Sequence, residues 1–281
     1  MKILYSPKSA GYSSTGHPER PERVTRSYEF LKDKLPFIEP KPCEEKDVLL
    51  VHTRGLLESV RKGTAELFDG ETPNLPGIFD MALLSAGSAS GAAKLALKKE
   101  KAFSLMRPPG HHAGRAFLGG FCYFNNMAIA IQKSLSKADK AAIIDIDVHH
   151  GNGSQDIVLG NNKVLYVSLH QSPLYPGTGL IPEKNCLNYP LPAGTVEQEY
   201  LKVLGKALEQ VKKFSPDLIG VSAGFDTYKL CPIAGLSLEI KSYYKIGRMI
   251  RDLNIPAFAI LEGGYSQDLP QCIYEFIRGI G

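Results

Sequence analysis

The stretch that decides the fold is AAIIDIDVHHGNG, residues 141–153, an apolar run that ends in acidic and imidazole side chains. In an extended strand, side chains alternate between the two faces, so Asp145, Asp147 and His149 project to one side. The two aliphatic residues between them point to the other side, into apolar packing. Two carboxylates on one face of a dry sheet repel each other and are costly to desolvate, and a bound cation removes that conflict. The stretch therefore predicts a strand with a metal site at its carboxyl end, against the alternative of carboxylates paired to Arg or Lys.

The same arrangement recurs along the chain, since other short apolar runs also end in polar residues and are separated by helical patterns. The strand in the stretch above is predicted over Ala141–Val148, and the other predicted strands are Lys2–Ser6, Ala102–Met106, Val164–Leu169, Leu218–Ser222 and Ala257–Leu261. The predicted helices are Leu56–Leu67, Met81–Lys99, Asn126–Lys137, Glu197–Lys213 and Ile240–Leu253. Continuously apolar strands that alternate with helices indicate a parallel sheet covered on both faces, with ligands bound beyond the carboxyl ends of its strands. No Pro/Gly-rich linker divides the chain, so we expect one domain over residues 1–281.

Composition narrows the class of protein. Of 281 residues, 43% are hydrophobic and 22% charged, which is ordinary globular usage and excludes wholesale disorder. A net charge of +4 is too small to indicate nucleic-acid binding. The five cysteines form no C-x-x-C pair, the amino terminus lacks the apolar segment of a signal peptide, and no stretch is apolar enough to span a membrane. We therefore expect a cytoplasmic protein that binds neither membranes nor nucleic acids directly.

The metal ligands are predicted from the mixture of residue types. Carboxylates and imidazoles without a thiolate suit zinc or another first-row divalent ion, and catalytic zinc keeps three protein ligands and one open position. Asp147 and His149 supply two ligands. Asp226, which also follows an apolar strand, is the best third candidate. Asp156 and Asp217 fit less well, because one begins a helical pattern and the other precedes its strand.

Histidines are concentrated at strand ends: five of the seven lie in three such segments, as His111 and His112, His149 and His150, and His170. For the two isolated ones, His17 and His52, an ordinary surface or core role is expected. Metal-assisted hydrolysis needs a group that takes a proton from water and one that stabilises an oxyanion. The histidine pair in RPPGHHAG (107–114) suits the first role, and Tyr265 in EGGY (262–265) suits the second.

Together these motifs resemble the zinc-dependent histone deacetylase and acetylpolyamine amidohydrolase family, in its class II-like, bacterial-type branch. The motifs are HPERPER (17–23), VHT (51–53), RPPGHHA (107–113), GFCYFN (120–125), DIDVHHGNG (145–153), SLH (168–170), YPGTG (175–179), SAGFD (222–226) and EGGY (262–265). They occur in the order expected for the family and extend over most of the chain. The resemblance implies a three-layer α/β fold of the arginase/deacetylase type with a central eight-stranded parallel sheet.

The resemblance also implies roles for individual residues. Zinc, or Fe²⁺ or Co²⁺ in its place, would be held by Asp147, His149 and Asp226. His112 would act as general base and then acid, while His111 stabilises charge and Tyr265 polarises the acyl carbonyl. Asp145 would orient His111 and Asn152 would orient His112. Class I members carry aspartate where this chain has Asn152, and a neutral partner should raise the basicity of His112 less than a carboxylate would.

The family pattern further implies a structural potassium ion and a narrow substrate tunnel. Potassium would be bound by Asp145, Asp147 and Ser168 and by the main-chain oxygens of His149 and Leu169. Phe121 and Tyr175 would form aromatic walls, with Gly120 leaving room for the substrate stem.

Two positions depart from the family pattern. Cys231 replaces the usual aspartate before Pro232, and we expect it to be an inert packing residue. Ile233 replaces the glutamate of members selective for acetylated spermidine, which disfavours narrow polyamine selectivity.

The sequence thus predicts a metal-dependent amidohydrolase, a deacetylase that releases acetate from an acylated amine, with acetyl-lysine in a protein or peptide as the first candidate substrate. The alternative is an acetylpolyamine or another small amide. Less favoured are a binuclear manganese ureohydrolase on the same fold and a non-catalytic acyl-lysine-binding protein. Because the chain leaves little room for rim insertions, we expect a monomer.

Overall fold

A parallel sheet of eight strands runs through the centre of the protein in the computed structural model, which describes residues 1–64 and 70–281. The strands are β1 (Lys2–Leu4), β2 (Phe37–Ile38), β3 (Ala102–Ser104), β4 (Ala141–Asp145), β5 (Val164–Gln171), β6 (Cys186–Leu191), β7 (Leu218–Ala223) and β8 (Ala257–Leu261). Their spatial order is β2-β1-β3-β8-β7-β4-β5-β6, and every pairing is parallel. The eight-stranded parallel sheet predicted from the family resemblance is confirmed.

Helices cover both faces of this sheet. In the described part of the chain they are α1 (Glu22–Leu31), α2 (Glu45–Val48), α3 (Arg54–Lys62), α4 (Ile78–Ala96), α5 (Asn126–Ser134), α6 (Asn152–Val158), α7 (Glu197–Phe214), α8 (Ile240–Arg251) and α9 (Leu269–Ile280). Local sequence explains several of the ends. The Thr53 hydroxyl accepts the Leu56 N–H at the start of α3, which ends at Gly63 in the left-handed region, and the Asn125 amide oxygen caps α5.

Two apolar clusters, one on each face of the sheet, join the sheet to a layer of helices on either side and so give three layers. Alternate residues of β4 point into different clusters: Ala142 and Ile144 pack with helices α1, α7, α8 and α9, whereas Ala141 and Ile143 pack with α3, α4, α5 and α6. Strands buried on both faces need apolar residues at every position, which is why the six strands predicted from sequence are continuous apolar runs.

The predicted strand Ala141–Val148 is shorter in the structure and ends at Asp145. The Ile146 N–H still donates to the Ser222 carbonyl of β7, but from Asp147 onward the backbone N–H groups donate to carboxylates. The N–H groups of Asp147, Val148 and His149 bond to the side chains of Asp145, Asp226 and Asp147, respectively. The alternation nevertheless persists, because Ile146 and Val148 still lie in the apolar cluster.

Two strands had no counterpart among the runs predicted from residue patterns. Strand β2 has only two residues, and β6 is a half-exposed edge strand that contains Pro190, which is tolerated there because one side of an edge strand needs no ladder hydrogen bonds. The helix predicted at Leu56–Leu67 is observed as Arg54–Lys62, and residues 65–67 of the predicted range lie outside the described residues.

The Ala/Ser/Gly-rich stretch predicted as a packed helix over Met81–Lys99 forms α4. Its small residues permit close approach, since a Cβ at Gly87 would lie 2.1 Å from the Lys41 carbonyl oxygen. In residues 1–64 and 70–281, no helix combines the length and the apolar character that a membrane crossing requires.

Candidate active site

The predicted site residues lie at the carboxyl ends of five adjacent strands, β3, β8, β7, β4 and β5. Each strand delivers one motif: the histidine pair after β3, EGGY after β8, SAGFD after β7, the Asp/His series after β4, and SLH within β5. Parallel strands end at the same edge, so motifs remote in sequence converge there.

Asp147, His149 and Asp226 are brought together as a cluster that could hold a metal ion. One potential ligand atom from each lies within 4.8 Å of the others, and all three residues are buried. His149 Nδ1 is 3.0 Å from Asp147 Oδ1 and 3.3 Å from Asp226 Oδ2. Asp226 Oδ2 has no hydrogen bond within the described part of the chain. A buried carboxylate oxygen without a hydrogen-bond partner, aimed at a second carboxylate and an imidazole, suits a divalent cation.

The buried carboxylates of this cluster also favour a positive charge between them. Burial by itself would lower the pKa of His149, but the adjacent carboxylates of Asp147 and Asp226 raise it to about 9. Burial and the nearby Asp147 raise the pKa of Asp226. Within the described residues no Arg or Lys forms an ion pair with these carboxylates, so the alternative of an Arg- or Lys-paired carboxylate ladder is wrong.

Glycines allow the backbone to close around the cluster. A Cβ at Gly263 would lie 2.1 Å from Asp226 Oδ2, and one at Gly224 would lie 2.2 Å from Asp147 Oδ2. The Gly263 N–H donates to Asp147 Oδ2 at 2.8 Å.

The two less favoured ligand candidates are engaged elsewhere. Asp156 accepts the N–H of Arg115, and Asp217 accepts the N–H groups of Asp139 and Lys140.

The adjacent histidines His111 and His112 have different partners and therefore different charge. His111 Nδ1 lies 3.1 Å from Asp145 Oδ2; although burial opposes ionisation, Asp147 and Asp145 raise the pKa of His111 to about 10. His112 Nδ1 donates to Asn152 Oδ1 at 2.7 Å, which leaves Nε2 as the unprotonated nitrogen. Burial, together with His111 and His149, holds the pKa of His112 well below its ordinary value. Near neutral pH His112 can therefore accept a proton, while His111 carries positive charge.

Tyr265 lies four residues after the end of β8, in the segment that follows Gly263, and it lines the pocket that also contains His111, His112 and His149. The Arg23 guanidinium lies 4.8 Å from the centre of the Tyr265 ring and donates to the carbonyl oxygens of Glu262 and Gly264. Burial raises the pKa of Tyr265 well above its ordinary value, so its hydroxyl stays protonated and able to donate a hydrogen bond.

A pocket of about 530 Å³ leads to these groups, and all four predicted tunnel residues, Gly120, Phe121, Tyr175 and Ile233, line it. The Tyr175 ring stands edge-on to His112, with ring centres 5.0 Å apart, and Phe121 stands edge-on to Tyr265 at 6.0 Å. Gly120 has φ +54°, and its Cβ would lie 2.2 Å from His112 Cδ2, so glycine there makes room for the His112 ring as well as for a substrate. Cys231 is buried, and burial raises the pKa of its thiol to about 12, in keeping with a packing role.

The residues expected around potassium lie at and just after the end of β4 and in the neighbouring strand β5. Asp145 on β4 is the register partner of Ser168 on β5, and both are fully buried, as is Leu169. Asp145 also accepts the Tyr166 hydroxyl at 3.0 Å, and Ser168 Oγ lies 2.9 Å from His170 Nδ1.

Several residues near the site were not predicted individually. Glu19 is buried and pairs with Arg107 and Arg23, and although burial opposes ionisation, these guanidiniums lower the pKa of Glu19. Glu262 is also buried, and burial raises its pKa to about 7. A signal was available for both, since they belong to the HPERPER and EGGY motifs.

The two isolated histidines differ in position. His52 is a satisfied core histidine, as expected, with hydrogen bonds to Gly114 O and Asn125 N. His17, by contrast, lines the pocket.

Known proteins are similar to this chain in both sequence and structure. The family model described as histone deacetylase domain matches residues 17–280. A probable deacetylase from Archaeoglobus fulgidus is 39% identical over 280 residues, covering 90% of this chain and 77% of its own length. Acetylpolyamine amidohydrolase 2 from Pseudomonas aeruginosa is 39% identical over 212 residues, covering 71% of this chain and 61% of its own length. A crystal structure of acetylpolyamine aminohydrolase from Burkholderia pseudomallei superposes with a TM-score of 0.92 at 29% identity, covering 100% of this chain and 98% of that one. With the matched motifs gathered around one buried cluster that could hold a metal ion, the chain belongs to the histone deacetylase family and is a hydrolase that acts on amides.

Proposed function

We propose that this enzyme hydrolyses the amide of a small acetylated amine and releases acetate and the free amine. The observation that carries the proposal is the convergence of Asp147, His149 and Asp226, of which His149 lines a pocket that His112 and Tyr265 also line. We further propose that residues 1–281 work as one domain, as a cytoplasmic monomer.

The donor set suits Zn²⁺, with Fe²⁺ or Co²⁺ as alternatives, held by Asp147, His149 and Asp226. When bound, such an ion supplies Lewis acidity toward the acyl oxygen and the water. Asp145, Asp147 and Ser168, with the main-chain oxygens of His149 and Leu169, supply the oxygen-rich environment proposed for structural potassium.

The side chains of the enzyme divide the remaining work. His112, neutral and fixed by Asn152, takes the proton from water through Nε2 and returns it to the leaving amine. The Tyr265 hydroxyl donates to the developing oxyanion, and His111, kept positive by Asp145 and Asp147, stabilises the negative charge. Phe121 and Tyr175 exclude water from the aliphatic stem of the substrate.

The choice of a small amine follows from the relatives whose names state a substrate. The acetylpolyamine amidohydrolases of Pseudomonas aeruginosa and Mycoplana ramosa are 39% and 40% identical to this chain over the matched regions. Acetyl-lysine in a protein or peptide remains a second candidate because Ile233 gives the pocket an apolar wall, which does not select for a highly charged polyamine.

Acetate release by the zinc-loaded full chain tests the proposal. The substrates are N-acetylputrescine, N8-acetylspermidine and a peptide with a central acetyl-lysine, and Asp226→Asn is the inactive control. We expect kcat/KM for an acetylated diamine or polyamine at least about tenfold above that for the peptide, a difference of about 1.4 kcal/mol. The opposite order would establish acetyl-lysine as the substrate class. Absence of acetate from all three would contradict the proposed reaction.

A further inference from the structure

Glu262 is a fully buried carboxylate that is absent from the proposed catalytic roles. Its Oε2 accepts the backbone N–H of Gly110 at 2.7 Å and that of His111 at 3.3 Å. Its Oε1 accepts the hydroxyl of Ser222 at 3.0 Å. One side chain at the end of β8 thus contacts the loop after β3 and the end of β7.

The backbone of Glu262 is held independently of its carboxylate. Its N–H donates to the Ala223 carbonyl at 2.9 Å, and its own carbonyl accepts from Arg23. The carboxylate therefore projects from a fixed backbone segment, and its hydrogen bonds fix the position of the Gly110–His111 backbone relative to that segment. The loop has little freedom to relax, since a Cβ at Gly110 would lie 2.6 Å from the Asn126 nitrogen.

We propose that Glu262 is a positioning residue for the histidine pair, and that it acts by the reach of its side chain rather than by its charge. The two N–H bonds hold the backbone from which His111 and His112 project, against the segment after β8 that carries Gly263 and Tyr265. The relative placement of general base and tyrosine then depends on these bonds, because small displacements of catalytic groups cost about a hundredfold in rate. Where its effect is measured as kcat, this inference rests on the proposed function.

Two conservative variants separate reach from charge. Glu262→Gln keeps the length: its amide oxygen can accept from Gly110 and His111, while its NH₂ donates to Ser222 Oγ, whose hydroxyl reverses its role. Glu262→Asp keeps the charge but is one methylene shorter, so it cannot span to the Gly110–His111 backbone and to Ser222 at once. Asp47→Asn, at a buried carboxylate that bonds Glu44 N and Lys133 away from the site, controls for loss of a buried charge.

We expect Glu262→Asp to lower kcat by about tenfold to a hundredfold, with KM within about threefold and metal content unchanged. Glu262→Gln and Asp47→Asn should stay within about threefold of wild-type kcat. A Glu262→Gln loss equal to or greater than that of Glu262→Asp would overturn the inference in favour of charge. Full activity in both variants, or a kcat loss accompanied by loss of metal, would overturn it as well.

A readout without substrate separates this inference from the proposed function. If the wild type releases no acetate from any acetylated amine, the proposed function fails, but imidazole ¹⁵N–¹H spectra of the zinc-loaded protein still report on His111 and His112. Displaced signals for both residues in Glu262→Asp, with wild-type positions in Glu262→Gln, support positioning by reach. The reverse pattern, or no displacement in either variant, refutes it.

Discussion

The partner of His112 sets how strongly that histidine holds a proton, so Asn152→Asp should move the acid limb of the pH–rate profile. His112 Nδ1 lies 2.7 Å from Asn152 Oδ1, and a carboxylate there would face the imidazolium across one hydrogen bond. Two unit charges about 4 Å apart attract by about 4 kcal/mol at an effective dielectric constant of 20, equivalent to about three pKa units. Desolvation of the new carboxylate opposes part of this, so we expect the pKa of His112 to rise by about one to two units.

The direction of the change follows from the role of the base. In the proposed mechanism hydrolysis requires neutral His112, whose pKa is held well below its ordinary value by burial, His111 and His149. Raising that pKa moves the acid limb of kcat/KM to higher pH. Activity of Asn152→Asp at acid pH should therefore fall by about tenfold to a hundredfold, while its alkaline plateau is kept or increased.

The assay is kcat/KM between pH 5 and pH 9 for the zinc-loaded enzyme, with metal content measured at each end of the range. Asn162→Asp, the same substitution at an exposed position, is the matched control and should leave the limb in place. An acid limb that moves by less than about 0.3 pH units in Asn152→Asp, with metal retained, would refute the assignment of His112 as the base controlled by Asn152.

Three further predictions follow from the site and its supports. Tyr265→Phe should lower kcat by about a hundredfold to a thousandfold with metal content unchanged, whereas Tyr244→Phe on α8 should have no effect; equal rates for the two variants would remove Tyr265 from the mechanism. Metal removal by a chelator should abolish activity. The metal-free protein should also lose up to about 3 kcal/mol of unfolding free energy as the pH rises from 6.5 through 9. The reason is that the pKa of His149 in the folded protein is raised to about 9, so that its protonated form stabilises the fold and is lost over this range. The loaded protein should show no such loss in denaturant titrations, and parallel curves for the two forms would contradict this explanation. Arg107→Leu should cost about 3 kcal/mol of unfolding free energy, since it leaves buried Glu19 with only one of its two guanidinium partners, and a loss below about 1 kcal/mol would show that Arg23 alone compensates the charge of Glu19.

Many of the core strands could be predicted from the sequence because the residue patterns that identify them are local. Continuous apolar runs such as Val164–Leu169 identify strands covered on both faces, and the alternation through Asp145, Asp147 and His149 identifies the ligand-bearing strand end. The short strand β2 and the half-exposed β6 were missed because edge strands need few apolar residues. The end of β4 at Asp145 was missed because carboxylates take the following N–H groups, two of them from Asp145 and Asp147 nearby and one from Asp226, which is remote in sequence.

Part of the chemistry of the site could be predicted from the sequence, and part depends on the tertiary structure. Residue types and their positions after strands were enough to predict that Asp147, His149 and Asp226 lie near the histidine pair and Tyr265, because each lies within a few residues of its strand. Only the tertiary structure could show that Glu262 reaches the Gly110–His111 backbone, that His17 enters the pocket, and that His111 and His112 differ in charge. Those properties depend on distances between segments that the sheet order brings together, and a linear sequence contains the groups but not their separations.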